Sequence, residues 1–160
     1  MCYYPVAGGV RVTRWEVAER FGTDARCREH LEKLRWPDGL VCVRCASQRV
    51  YLKRKRKQYE CYDCRRRFSV LYKTIFQDSK IPLPAWFLAI HRVVGSAGSM
   101  SAKELRRELG ISYKTAWFMV QRMRRLTAAP DRIDALRWIL GASTREDSTY
   151  RKRVFGGKAE

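Results

Sequence analysis

Apolar positions near the start of the chain recur at helical spacing. Residues 14–21 read as a short helix: Thr13 and Glu16 form a capping-box pair, in which hydroxyl and carboxylate each take up the other's free backbone N–H, and Gly22 ends the segment. Thr23 or Asp24 can cap a second helix reaching about residue 34, with Ala25, Cys27 or Arg28, Leu31 and Leu34 near one face. Arg35-Trp36-Pro37-Asp38-Gly39 stops it with a turn. The period then changes. Residues 49–53, 58–61 and 67–72 alternate apolar and polar as half-exposed strands do, and Val50, Leu52, Tyr59, Phe68 and Val70 are expected to form a small apolar side.

Helical spacing returns after Ser79-Lys80-Ile81-Pro82-Leu83-Pro84, whose prolines extend the chain. Pro84 suits the first turn of a helix over about 85–94 that carries Trp86, Phe87, Ile90, Val93 and Val94; His91 within it reads as a packing or surface residue. After the small residues 95–99, Ser101 and Glu104 form another capping box, opening a helix that carries Leu105 and Leu109 and stops at Gly110. Ser112 caps the next, from 113 to about 126, with Ala116, Val120, Met123 and Thr127 turned inward. Pro130-Asp131 allows one more short helix to Leu140, while residues 1–12 show no periodicity and read as a loose arm.

The expected class is α+β: a small β zinc ribbon flanked by N-terminal helices, followed by an all-α helix-turn-helix module. Expected boundaries are 1–40 for arm and helices, 41–78 for the ribbon, 79–128 for the helix-turn-helix and 129–160 for a basic tail. The ribbon reading rests on Cys42-Val43-Arg44-Cys45 and Cys61-Tyr62-Asp63-Cys64, two Cys-x-x-Cys pairs separated by fifteen residues. Four thiolates so spaced can close a tetrahedral Zn²⁺ site and leave no position open for water, which makes the metal structural. Two disulfides and a thioredoxin-like redox pair are the competing readings. The first needs an oxidising compartment and the second a βαβ context, and neither is indicated. Cys2 and Cys27 have no partner at ligand spacing.

Charge narrows the partners. Lys and Arg outnumber Asp and Glu by 34 to 16 over 160 residues, leaving a net charge of +18. Such a field favours a polyanion, nucleic acid above all, though a generally cationic surface or a ribosome-associated protein has the same composition. With no long apolar run and no signal pattern, a cytoplasmic protein without a membrane partner is expected. Lys53, Arg54, Lys55, Arg56 and Lys57 stand at a hairpin tip, and Arg65, Arg66 and Arg67 leave the second cysteine pair. They read as phosphate contacts, or more plainly as a solvated loop. Helix, glycine-containing turn and capped second helix are the pattern of a helix-turn-helix, or of an ordinary helical hairpin. In the former, an outer face of Tyr113, Lys114, Phe118, Gln121, Arg122 and Arg125 would enter the major groove of double-stranded DNA.

The order of these parts resembles the N-terminal half of bacterial insertion-sequence transposases that begin with a zinc ribbon and continue into a DDE-type nuclease domain. The resemblance covers about residues 21–126. It is carried by Leu34 to Gly39, the cysteine pairs, Phe68-Ser69-Val70, Thr74-Ile75-Phe76, Asp78-Ser79-Lys80, Trp86-Phe87 and the run from Leu109 through Gly110-Ile111-Ser112 to Trp117. It implies binding of the element's terminal inverted repeats and action at the bacterial nucleoid.

Further on, Asp147 in Glu146-Asp147-Ser148-Thr149-Tyr150 matches the family's first metal-binding Asp. Ser148 replaces the family's Glu, however, and Arg151-Lys152-Arg153 interrupt the pattern before Val154-Phe155-Gly156-Gly157-Lys158. Two-metal cleavage needs carboxylates from several strands. Asp147 is therefore expected to be a relic or a surface residue, with no Mg²⁺ site and no strand cleavage by this chain alone. The alternatives are a DNA-binding half completed by a separate or frameshifted catalytic half, in which case a dimer or partner chain is implied, and a transcription regulator of similar parts.

Overall fold

In the computed structural model the described residues are 14–96, 100–125, 135, 136, 138–140, 154 and 155. The architecture is mixed, with helices α1 (Arg14–Arg20) and α2 (Asp24–Arg35), strands β1 (Val50–Lys53), β2 (Gln58–Cys61) and β3 (Arg67–Phe68), and helices α3 (Leu83–Gly95), α4 (Ala102–Leu109) and α5 (Tyr113–Arg125). The sheet is antiparallel in the order β1-β2-β3, with Leu52 opposite Tyr59 and Tyr59 opposite Phe68.

Local chemistry accounts for the helix ends. Thr23 caps α2, its hydroxyl accepting from the Arg26 N–H at 3.3 Å. That leaves Asp24 to work at long range: its carboxylate accepts the Leu83 N–H at 3.0 Å, capping a helix whose own N-cap residue, Pro82, has no capping side chain. Ser101 and Glu104 close a reciprocal capping box on α4, which ends at Gly110 with φ 64°. Ser112 accepts from Thr115 N–H at 3.1 Å at the start of α5. Thr13, the expected cap of α1, lies outside the described residues.

One core joins all five helices. Val17, Phe21, Cys27, Leu31, Trp86, Phe87, Ile90, Leu105, Met119 and Met123 are buried together, and the Phe76 ring lies flat against Phe87 at 6.0 Å. Each such large side chain contributes about 1.5–3 kcal/mol on burial. Leu136, Ile139, Val154 and Phe155 are buried in the same cluster. A second, smaller cluster consists of Cys42, Tyr59, Cys61 and Phe68, with Trp36, Leu40, Val43 and Val50 packed on it.

Two strand expectations are corrected. The third strand ends at Phe68, because residues 69–79 coil in successive turns: Tyr72 N–H donates to Ser69 O, Thr74 N–H to Leu71 O and Gln77 N–H to Thr74 O, each at 3.1 Å. Val70 thereby leaves the ribbon for the main core, while Leu52 is 47% exposed and not among the residues packed on the ribbon cluster. The coil is fastened by two arginines. Arg35 Nη1 donates to Val70 O and Tyr72 O, both at 2.8 Å, and Arg122 Nη1 donates to Ile75 O at 2.9 Å and also to Gln77 O.

Arg122→Met keeps the stem but strands two carbonyls. Unfolding in urea should show a loss of about 2–4 kcal/mol, since hydrogen bonds to a charged group contribute roughly 1.5–3 kcal/mol. Unchanged stability would show that this side chain is free to serve another partner.

Candidate metal centre and nucleic-acid interface

Each cysteine pair is built as a tight turn. Ala46 N–H donates to Cys42 O at 3.0 Å and Cys42 N–H to Ser47 O at 2.8 Å; in the second pair Arg65 N–H donates to Cys61 O and Cys61 N–H to Arg66 O, both at 3.1 Å. The residue after each pair, Ala46 with φ 56° and Arg65 with φ 55°, takes the left-handed conformation that turns the chain away from the sulfurs. Asp63 fastens the two turns together, accepting from Ser47 Oγ and from Arg49 Nη1 at 2.9 Å.

The result is a four-sulfur cage. The Sγ atoms of Cys42, Cys45, Cys61 and Cys64 all lie within 4.8 Å of one another. Cys42 Sγ is 3.5 Å from Cys64 Sγ and Cys45 Sγ is 3.6 Å from Cys61 Sγ, and all four are free thiols. A tetrahedral metal with bonds of ~2.3 Å to sulfur separates its ligands by about 3.8 Å, so the donor set fits such an ion.

The sulfurs differ in acidity. Backbone N–H groups of Cys64 and Asp63 favour the Cys61 thiolate over the opposing effect of desolvation and lower its pKa to about 7. Desolvation raises Cys42. At Cys45 the Ser47 N–H favours the thiolate, but desolvation and the three neighbouring thiols outweigh it and push the pKa to about 12. Cys61 is ready to ionise, while Cys42 and Cys45 resist. A dication removes that resistance, because it stabilises every thiolate at once.

Residues 22–67, which contain the cage, match the transposase zinc-ribbon domain. The chain is also 33% identical over 113 residues to a protein in transposable element ISH50 of Halobacterium salinarum, an alignment covering 69% of this chain and 38% of that relative. The chain therefore spans well under half of the relative's length. No solved structure is significantly similar. The resemblance to the N-terminal part of an insertion-sequence transposase is borne out by both findings.

Cations surround the four-cysteine ribbon unevenly. Arg54, Lys55, Arg56 and Lys57 are exposed on a single 3₁₀ turn at the tip, and Lys57 reverses the chain with φ 50°. Lys53 and Arg67 are drawn inward instead, both donating to the buried Glu60, the Arg67 contact at 2.8 Å. Hydrogen bonds from Lys53 and then Arg67 lower the Glu60 pKa to about 2. Arg65 and Arg66 are exposed, and Arg66 donates to the Tyr72 hydroxyl at 3.0 Å.

On α5, Lys114 and Arg125 are exposed, Tyr113 is 50% exposed and Gln121 is half-buried. Phe118 and Arg122 do not lie on the outer face expected for them. Phe118 packs against the main core, and the Arg122 guanidinium sits 4.4 Å over its ring while holding the 75–77 carbonyls. Trp117, 49% exposed, and Arg124 occupy the outer face in their place. Their spacing from Tyr113, four and eleven residues on, was the available signal. Beside Tyr113, Lys103, Arg106 and Arg107 of α4 line a shallow depression. Among the described residues no helix is long and apolar enough to cross a membrane. Asp147 and Thr127 lie outside the described residues.

Titration of the metal-free chain with Co²⁺ should give tetrahedral thiolate absorption that saturates at a single equivalent. Cys61→Ser should abolish it, and apparent affinity should fall as pH drops below neutral, where protons compete for the sulfurs. Failure of the wild-type chain to develop that absorption would refute the site.

Proposed function

We propose that this chain is the DNA-binding part of an insertion-sequence transposase, with a structural Zn²⁺ in the four-cysteine cage and duplex DNA, the terminal inverted repeats of the element, as its ligand. The observation that carries the reading is that a metal-competent sulfur cage lies within a stretch matching the transposase zinc-ribbon family. Protein fills all four coordination positions, so the metal's task is to hold the fold.

In this reading α4 and α5 form a helix-turn-helix and α5 enters the major groove. Gly110 in the left-handed region supplies the tight turn, and the exposed face of Tyr113, Lys114, Trp117, Arg124 and Arg125 supplies groove contacts. Arg125 can pair with guanine O6 and N7, and half-buried Gln121 with adenine. Arg54, Lys55, Arg56 and Lys57 take phosphates at the ribbon tip, and Arg106 and Arg107 take them from α4, the first helix of the pair. Such contacts position the protein on the duplex without reading sequence. The ribbon, residues 41–78, and the helical module, residues 79–128, act together on one stretch of DNA. Carbonyls capped by Arg35 and Arg122 support this by making residues 70–77 a rigid joint.

Selection from random duplexes should yield a defined site only when zinc is present. On that site Arg125→Ala should cost on the order of 1–3 kcal/mol and relax one base position. The double change Arg54→Ala and Arg56→Ala should weaken all duplexes alike and lower the salt dependence by about one phosphate contact per residue removed. Recovery of no common sequence would exclude site-specific recognition, and Arg125→Ala losses equal on random and selected DNA would move that residue to the backbone class.

A further inference from the structure

The ribbon has a second face that the duplex contacts do not use. Strand alternation sends Val50, Leu52, Tyr59, Cys61 and Phe68 to one side, toward Trp36 and the cage. Arg49, Tyr51, Lys53, Glu60, Tyr62 and Arg67 go to the other. Tyr62 extends the ladder beyond β2, its N–H donating to Arg49 O at 2.9 Å. On this outward face Tyr51 and Tyr62 lie with ring centroids 4.6 Å apart, and Tyr62 is 50% exposed. Arg49 stands 6.0 Å from the centre of the Tyr62 ring, and the Lys53 ammonium 5.7 Å from that of Tyr51. The face's two carboxylates are already engaged: Glu60 by Lys53 and Arg67, and Asp63 by Arg49 and Ser47. What remains presented to solvent is an aromatic surface in a cationic frame, continuous with the four exposed cations of the tip.

A duplex cannot use such a surface fully, because its base faces are already stacked on one another. Unpaired nucleotides can: the bases stack on the rings while Arg54, Lys55, Arg56 and Lys57 of the adjoining tip take the phosphates, a mode that tolerates any sequence because every base has a π-face. A cross-strand aromatic pair also steadies a hairpin, by about 0.2–1 kcal/mol. That role calls neither for Tyr62 to keep half its surface in water nor for cations around both rings.

We propose that the Tyr51–Tyr62 face of the ribbon binds unpaired nucleotides, such as a frayed or overhanging strand at the end of a duplex. The proposal rests on the reading of the chain as a nucleic-acid binder, and its test separates the two. Binding of the zinc-loaded full chain would be measured by fluorescence anisotropy to blunt duplexes, to the same duplexes with a six-nucleotide thymidine overhang, and to free oligothymidylate. The overhang should tighten binding roughly ten-fold, the order of one aromatic–base stack. Tyr62→Ala and Tyr62→Leu should abolish that gain while leaving blunt-duplex affinity and zinc content unchanged, and Tyr62→Phe should keep it. Equal affinity for blunt and overhanging duplexes, or a gain that survives Tyr62→Leu with zinc still bound, would overturn the proposal while leaving the duplex reading standing. Binding of oligothymidylate that needs Tyr62, without measurable duplex binding, would support it and sink the duplex reading instead.

Discussion

Two guanidinium groups from different helices meet on one short coil of backbone, and the arrangement of everything else follows from that meeting. Residues 69–79 turn repeatedly, which leaves the carbonyls of Val70, Tyr72, Ile75 and Gln77 facing neighbouring elements. Arg35, at the end of α2, takes the first two, and Arg122, on α5, takes the last two. Desolvation lowers the Arg35 pKa only to about 10, so the group stays charged at neutral pH and its hydrogen bonds remain charge-assisted. The Arg35 guanidinium also lies 5.2 Å from the Trp36 ring centre and 5.0 Å from that of Phe155, so a single cation touches the ribbon's packing residue and the far end of the chain. A flexible linker would have let the ribbon and the helices move separately. This joint is buried, hydrogen-bonded and stacked, with Phe76 driven into the main core beside Trp86 and Phe87.

The ribbon has little else to hold it. Its buried cluster consists of two ligand cysteines, Tyr59 and Phe68. Two aromatic side chains at about 1.5–3 kcal/mol each stand against an ordering cost of about 1–2 kcal/mol for every residue fixed. Tyr59 adds a hydrogen bond to Glu32 of α2 at 2.7 Å, and Trp36 packs edge-on against Tyr59 at 5.5 Å, so α2 lends the ribbon part of its support. The remainder would fall to the sulfur cage, where a structural zinc of the kind proposed would contribute on the order of 10–16 kcal/mol. That imbalance explains why Ala46 and Arg65 tolerate positive φ: strain of about 1–2 kcal/mol at each turn is small beside the coordination it permits.

The parts of this design that depend on nearest neighbours were legible in the sequence. Cysteine spacing pointed to the cage, Ser101 with Glu104 and Gly110 bounded α4, and alternation located β1 and β2. Long-range partners were not legible. Asp24 looked like a cap for its own helix and instead caps α3, fifty-nine residues away. Phe68, Val70 and Tyr72 alternate like a strand, yet the strand stops because Arg35 captures the carbonyls of Val70 and Tyr72, which a further strand would have needed. Arg122 shares the polar flank of α5 with Arg125, and helical geometry alone gives no means of telling the clamp from the exposed cation. The same blindness hid Trp117, an apolar residue that periodicity assigns to no core and that stands on the exposed face.

A net charge of +18 says that a polyanion is attracted without saying which cations meet it. The fold sorts them. Arg35 and Arg122 serve backbone carbonyls, Arg92 pairs with Glu108 between α3 and α4, and Lys53 and Arg67 share Glu60. Cations spent in this way fix the geometry and make poor phosphate ligands, since moving them uncovers a buried oxygen. Exposed cations also occur on α1, α2 and the loops, but two groups lie on the surfaces proposed to meet DNA, the 54–57 tip with Arg65 beside the cage, and the outer sides of α4 and α5. Of the structural cations, Arg35 and Arg122 bind the joint between these two groups. In the proposed reading those two groups are the contact surfaces, and the joint that Arg35 and Arg122 fasten is what would hold them in a fixed relation along a phosphate backbone.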